Sequence, residues 1–161
     1  MQVREKLMNQ FPKLELHVSD ELPKGLIALY EQDALSPNGS ITIDGRINYY
    51  LQNGILAEEL GHHATSYGDI TNYKGKNINI NAAKQEVRAR RFGIKLILPL
   101  EKLVDCFENG YWGDLYAMCL YLEIDRSYFE EAIEDYKKQF GSYVKYDGYY
   151  IAFEPLKIEK L

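Results

Sequence analysis

Leu56-Ala-Glu-Glu-Leu-Gly-His-His-Ala-Thr65 is the stretch on which the reading of this 161-residue chain turns. The apolar spacing over residues 51–65 predicts a helix. The stretch stands one His short of the H-E-x-x-H motif, in which the first and last residues share a helical face, about 6 Å apart along the axis, and can hold one metal ion. Glu58 occupies the first His position, Glu59 the catalytic Glu position and His62 the second His position. With Glu58 at zero and about 100° per residue, His62 falls at about 40° and Thr65 at about 340°, among the small residues Gly54 and Gly61. Glu59 lies about 100° round, within reach of a metal-bound water, whereas His63 groups with Leu56 and Leu60 between about 140° and 200° and reads as structural. Two readings stay open on the residues alone: a metal site, or an ordinary helix with paired surface carboxylates and two packed histidines.

A second helix is predicted over residues 82–98, stopped by Pro99. With Glu86 at zero, Ala83, Ala89, Arg90, Gly93 and Ile97 fall within about 60°, which places Glu86 on a small, packed side. A carboxylate there needs a cation, because a buried unpaired charge costs several kcal/mol. The cation is either an ion held by Glu58 and His62 or Arg90 one turn on. Lys84, Arg88, Arg91 and Lys95 form a stripe that reads as a solvated face.

Around these helices the chain is divided by its turn residues. A short helix is predicted over residues 2–10 and strands over 14–18, 26–30 and 40–43, with His17 outward or at an edge. A Gly/Asn/Tyr loop is predicted over 67–81, long enough to border a cleft, with extended Asn77-Ile-Asn-Ile able to pair with a substrate strand. Helices follow over 100–108, 115–122 and 126–140, with Asp114 and Asp125 as caps, the box Ser127-x-x-Glu130 and a stop at Gly141. Asp147-Gly148 between alternating runs marks a tight β-hairpin.

Hydrophobic residues make up 46% of the chain and charged ones 27%. Those shares fit a globular domain and argue against a disordered chain or a coiled-coil rod. A net charge of −5 and a pI near 5.3 leave no footprint for a polyanion, so direct nucleic-acid binding is not expected. The longest greasy run, residues 115–122, is far short of the ~20 residues of a membrane span. The charged N-terminus does not read as a secretory signal. Cys106 and Cys119 form no disulfide framework and are expected buried and reduced. Together these features point to the cytoplasm.

The helix Leu56-Ala-Glu-Glu-Leu-Gly-His-His, followed by Gln85-Glu-Val-Arg-Ala-Arg-Arg-Phe and Leu96-Ile-Leu-Pro, resembles the ImmA/IrrE family of metallopeptidases. Tyr67-Gly-Asp-Ile, the helix over 128–141 and Tyr149-Tyr-Ile-Ala-Phe-Glu-Pro-Leu resemble its phage and integrative-element branch. The likeness runs from about Leu26 onward. It implies an α+β fold with a zincin-like core over 1–105 and C-terminal helices with a β-hairpin over 106–161, packed as one unit. It implies that His62 and Glu86 hold one divalent ion, with Glu58 standing in the place of the first His, and that Glu59 activates water. It further implies cleavage of a helix-turn-helix repressor, which would release the genes of a mobile element.

Glu58 departs from the His of the motif, but zinc accepts carboxylate oxygen as well as imidazole nitrogen. Two carboxylates make the site formally neutral and its ion a weaker Lewis acid. Such ligation narrows the advantage of zinc over manganese or iron. Tyr67 and His63 are both candidates to stabilise an oxyanion. Weakened ligation leaves an alternative, a catalytically inactive peptidase fold that binds or sequesters a repressor. A helix-turn-helix over residues 115–140 is a further rival. It is disfavoured because residues 111–161 carry ten acidic against six basic side chains.

Overall fold

The structure, a computed structural model, describes residues 2–65 and 78–161. The fold is α+β, and the chain divides into two compact units, Met1–Ile97 and Leu98–Leu161. The helix over 100–108 therefore falls whole in the second unit, where the sequence reading set the division inside it.

The first unit holds α1 (Val3–Asn9), β1 (Glu15–Ser19), β2 (Ala28–Glu31), β3 (Ser40–Asp44), α2 (Tyr49–Thr65) and α3 (Ile78–Ile97). Its sheet has the order β1-β3-β2, with β1 parallel and β2 antiparallel to β3. The central place falls to β3 because Ile41 and Ile43 are both 0% exposed, and burying such side chains is the main favourable contribution to folding. Asp44 ends the strand, and its buried carboxylate is held well below the usual range by the Arg46 guanidinium. Arg46 also donates to the Leu22 carbonyl at 3.0 Å, which ties the turn after β3 to the segment before β2.

α2 begins at Tyr49, two residues before the predicted start, because the Asn48 side chain accepts a hydrogen bond from the Leu51 amide at 2.9 Å. Its first turn is anchored to α1 through Arg4, which donates to Asn53 at 3.1 Å and to Gln52 at 2.9 Å and covers the Tyr49 ring at 4.7 Å. α2 packs on β2 and β3 and also against α3.

The contact between α2 and α3 is made by main chain. A Cβ on Gly61 would lie 2.0 Å from the Ala89 carbonyl oxygen, and one on Gly93 would lie 2.5 Å from that of Ala57. The helices therefore run antiparallel, Ala57 opposite Gly93 and Gly61 opposite Ala89. α3 starts at Ile78, not 82, so Ile78-Asn79-Ile80 is helical and the predicted extended run is corrected; Asn77 lies outside the described residues. An alternating run of four is too short to fix a period, and the Ala-Ala-Lys-Gln-Glu that follows favours helix.

The second unit holds α4 (Leu100–Glu108), α5 (Leu115–Leu122), α6 (Arg126–Phe140), β4 (Tyr143–Tyr146), β5 (Tyr149–Phe153) and β6 (Leu156–Lys160). Asp114 caps α5 by accepting from Ala117 at 3.1 Å, and Asp125 caps α6 by accepting from Ser127 at 3.2 Å. The expected Ser127/Glu130 box is absent: the cap is the expected Asp125, two residues before Ser127, and Glu130 pairs instead with Arg126 at 2.9 Å. The strands form an antiparallel meander β4-β5-β6. Asp147 and Gly148 both have positive φ, 45° and 80°, as the tight turn requires. β6 extends the predicted hairpin to three strands. Tyr136, Phe140 and Phe153 stack together, and the Tyr136 hydroxyl donates to the Leu98 carbonyl at 2.8 Å.

No helix among the described residues is long and apolar enough to cross a membrane. Both cysteines are buried, and burial pushes the Cys106 thiol up to about 12. Native protein at pH 8 should leave Cys106 unalkylated by iodoacetamide over the time in which urea-unfolded protein is labelled, as read by intact mass. Gly61→Ala should destabilise by about 3 kcal/mol in urea melts, from overpacking against backbone that cannot turn away. A stabilisation of about 1 kcal/mol, the usual gain for alanine over glycine in a helix, would contradict this packing.

Candidate metal centre

The main-chain contact of α2 with α3 brings together side chains 24 positions apart in sequence. His62 Nε2 and Glu86 Oε2 are 3.4 Å apart, with 32% and 56% of their side chains exposed. That separation is long for a hydrogen bond. It equals the edge of a tetrahedron whose centre lies about 2.1 Å from a nitrogen and an oxygen, which is roughly 3.4 Å for a zinc ion.

Glu59 adjoins this pair. Burial pushes its carboxyl up, the His62 imidazole pulls it down and the Glu86 carboxylate pushes it up again. Desolvation is the largest of these causes, because the ionised form loses water that nothing nearby fully replaces. Glu58 is half-buried, one turn before His62 on the same side of α2. Thr65, also placed on this face by its angle, donates its hydroxyl to the Gly61 carbonyl at 2.7 Å. Among the described residues no three His, Cys, Asp or Glu side chains come together closely enough to hold an ion.

Glu86 is not on a packed side, contrary to the angular reading. Ala89, Gly93 and Ile97 are buried as expected, but Ala83, Glu86 and Arg90 are exposed. The angle is right and the height is not. In the register set by Gly61 and Ala89, Thr65 at the end of α2 stands opposite Gln85, so Glu86 lies at the rim of the contact. Among the described residues Glu86 pairs with His62. Lys84, Arg88 and Lys95 of the basic stripe are exposed, and Arg91 is half-buried.

His63 belongs to the scaffold. Its Nδ1 is 3.1 Å from the Tyr30 hydroxyl, and its ring packs against Phe11 and Tyr30 with centroids 5.8 and 5.6 Å away. Gly39, at φ +98°, leaves room for that hydroxyl, since a Cβ there would come within 2.7 Å of it. These contacts join α2 to β2 and to the segment after α1, and they occupy the ring proposed as an oxyanion donor. Tyr67, the other candidate, lies outside the described residues. Nothing in the sequence marks Tyr30, because its partner is 33 residues away and the pairing exists only in the folded chain. His17 is exposed on β1, 3.5 Å from Glu15.

The rival helix-turn-helix would use α6 to read DNA, but Glu130, Glu131 and Glu134 are exposed along it and would repel phosphate. Tyr30→Phe should cost about 1 kcal/mol of stability through the lost hydrogen bond. In a double-mutant cycle with His63→Gln, the two changes should be non-additive by a similar amount; simple additivity in urea melts would show that the contact carries no energy.

No family model matches this sequence, and no curated protein and no solved structure is significantly similar to it.

Proposed function

We propose that the chain is a metal-dependent endopeptidase with a zincin-like core that cleaves a helix-turn-helix repressor and so derepresses a phage or other mobile element. The observation that carries this reading is the 3.4 Å approach of His62 Nε2 to Glu86 Oε2 across two helices, a separation suited to sharing one tetrahedral ion. His62 and Glu86 would hold the ion, and rotation of the Glu58 side chain would bring a third donor from the adjacent turn of α2. The donor set of two carboxylates and one imidazole suits Zn2+ and also Mn2+ or Fe2+. When bound, the ion would polarise the scissile carbonyl and acidify a water.

Glu59 has the role of general base in this reading. It is on the same helix as His62, about 60° round from it, so its carboxylate can reach a water beside the pair without displacing either donor. Its desolvated surroundings favour uptake of a proton, which it would then pass to the leaving amine. The contact with Tyr30 would keep the His63 ring out of the site. The repressor as substrate rests on the family resemblance of the Leu56–Thr65 helix and the residues after Gln85.

Elemental analysis after dialysis against Zn2+ or Mn2+ should give about one ion per chain in the wild type and in His63→Ala, and none in His62→Ala. Metal lost from His63→Ala alone would overturn the ligand assignment. Glu59→Gln should retain the ion while cleavage of a helix-turn-helix repressor, followed by mass spectrometry of fragments, falls by roughly 10²–10⁴. Undiminished cleavage by that variant would remove Glu59 from the mechanism. Repressor bound but never cut by the metal-loaded wild type would show a sequestering protein rather than a peptidase.

A further inference from the structure

The second unit carries a groove that the proposed chemistry does not use. Its volume is about 440 Å³, within the range of roughly 300–1,000 Å³ that binding pockets occupy. Trp112, Leu115, Ile133 and Leu156 line it, each half-buried with apolar surface left open to solvent. The indole is braced edge-on by Phe107, with centroids 6.5 Å apart, so the groove wall is set before anything enters. Glu130 and Glu134 complete the lining. They stand one turn apart on α6, about 6 Å along its axis, with both side chains exposed.

The charge around the groove is one-sided. Residues 98–161 carry thirteen acidic and seven basic side chains, a net of −6, whereas residues 1–97 carry eleven and twelve, a net of +1. The net negative charge of the protein thus resides in the unit that has the groove. Nucleic acid and an anionic lipid surface are both repelled by such a field. An apolar floor edged by carboxylates one helical turn apart matches a helix with aliphatic side chains on one stripe and Lys or Arg flanking them. Glu130 already pairs with Arg126, but both side chains are largely exposed, and a pair of that kind contributes little and exchanges readily.

We infer that the groove between α5, α6 and β6, floored by apolar side chains and edged by Glu130 and Glu134, is a docking site for a cationic amphipathic helix of a partner protein. The inference is independent of the metal reading, since it uses no residue of the first unit. The carboxylates select and orient the partner, and the apolar floor supplies the area removed from water.

Trp112 is the lone tryptophan of the chain, so its emission reports on this groove alone. The full-length protein is titrated with a short helical peptide of Leu and Lys in amphipathic order, and with the same peptide carrying Glu for Lys. The Lys peptide should shift Trp112 emission to the blue and bind saturably, while the Glu peptide should not bind. The variant Glu130→Gln/Glu134→Gln changes two exposed side chains and should keep the far-ultraviolet circular dichroism of the wild type. It should bind the Lys peptide about tenfold more weakly, and the wild-type affinity should fall with salt. Equal binding of both peptides, undiminished binding by the double variant, or no emission change up to millimolar Lys peptide would each overturn the proposal.

Discussion

The approach of α2 to α3 at Gly61 and Gly93 sets the position of everything chemical in the first unit. Where side chains separate two helices, their axes usually lie about 8–10 Å apart and the spacing follows the rotamers between them. Here backbone meets backbone, and the spacing is fixed by the van der Waals surfaces of peptide groups. Side chains on the two helices then start from backbone positions that no rotamer change in the core can relax. His62 and Glu86 stand one residue beyond Gly61 and three before Ala89, close enough to the contact to inherit its rigidity.

Adjacent histidines on one helix have opposite duties for a geometric reason. Successive residues of a helix point about 100° apart, so His63 turns toward the sheet when His62 turns toward α3. Tyr30 and Phe11 enclose the first of these, and Glu86 and Glu59 flank the second. The surroundings of the two imidazoles thus differ in polarity as well as direction. One ring is wedged among aromatic edges, and the other sits at a partly open rim among carboxylates.

The parts of this architecture that were legible in the sequence are those governed by neighbours in the chain. Asp114, Asp125 and Gly141 bound α5 and α6 because caps act within three residues, and Asp147-Gly148 marks its turn because φ > 0 is a local demand. β6 was missed although Leu156-Lys-Ile-Glu-Lys160 alternates, since its pairing with β5 is decided across strands. The helical wheel placed Ala89, Gly93 and Ile97 correctly but misjudged Glu86, because an angle says nothing about where along its length a helix loses its neighbour. His62 and Glu86 were expected to lie near one another and do so, whereas the pairing of His63 with Tyr30 left no trace in spacing or composition.

The aromatic stack of Tyr136, Phe140 and Phe153 contrasts with the small-residue seam of the first unit. Large rings can be exchanged for other large apolar groups with local repacking, while Gly61 and Gly93 admit no added atom. Mutational drift would therefore run at two speeds along the chain. The second half would lose recognisable sequence first while keeping its shape, and two residues without side chains would persist longest as the visible record of ancestry.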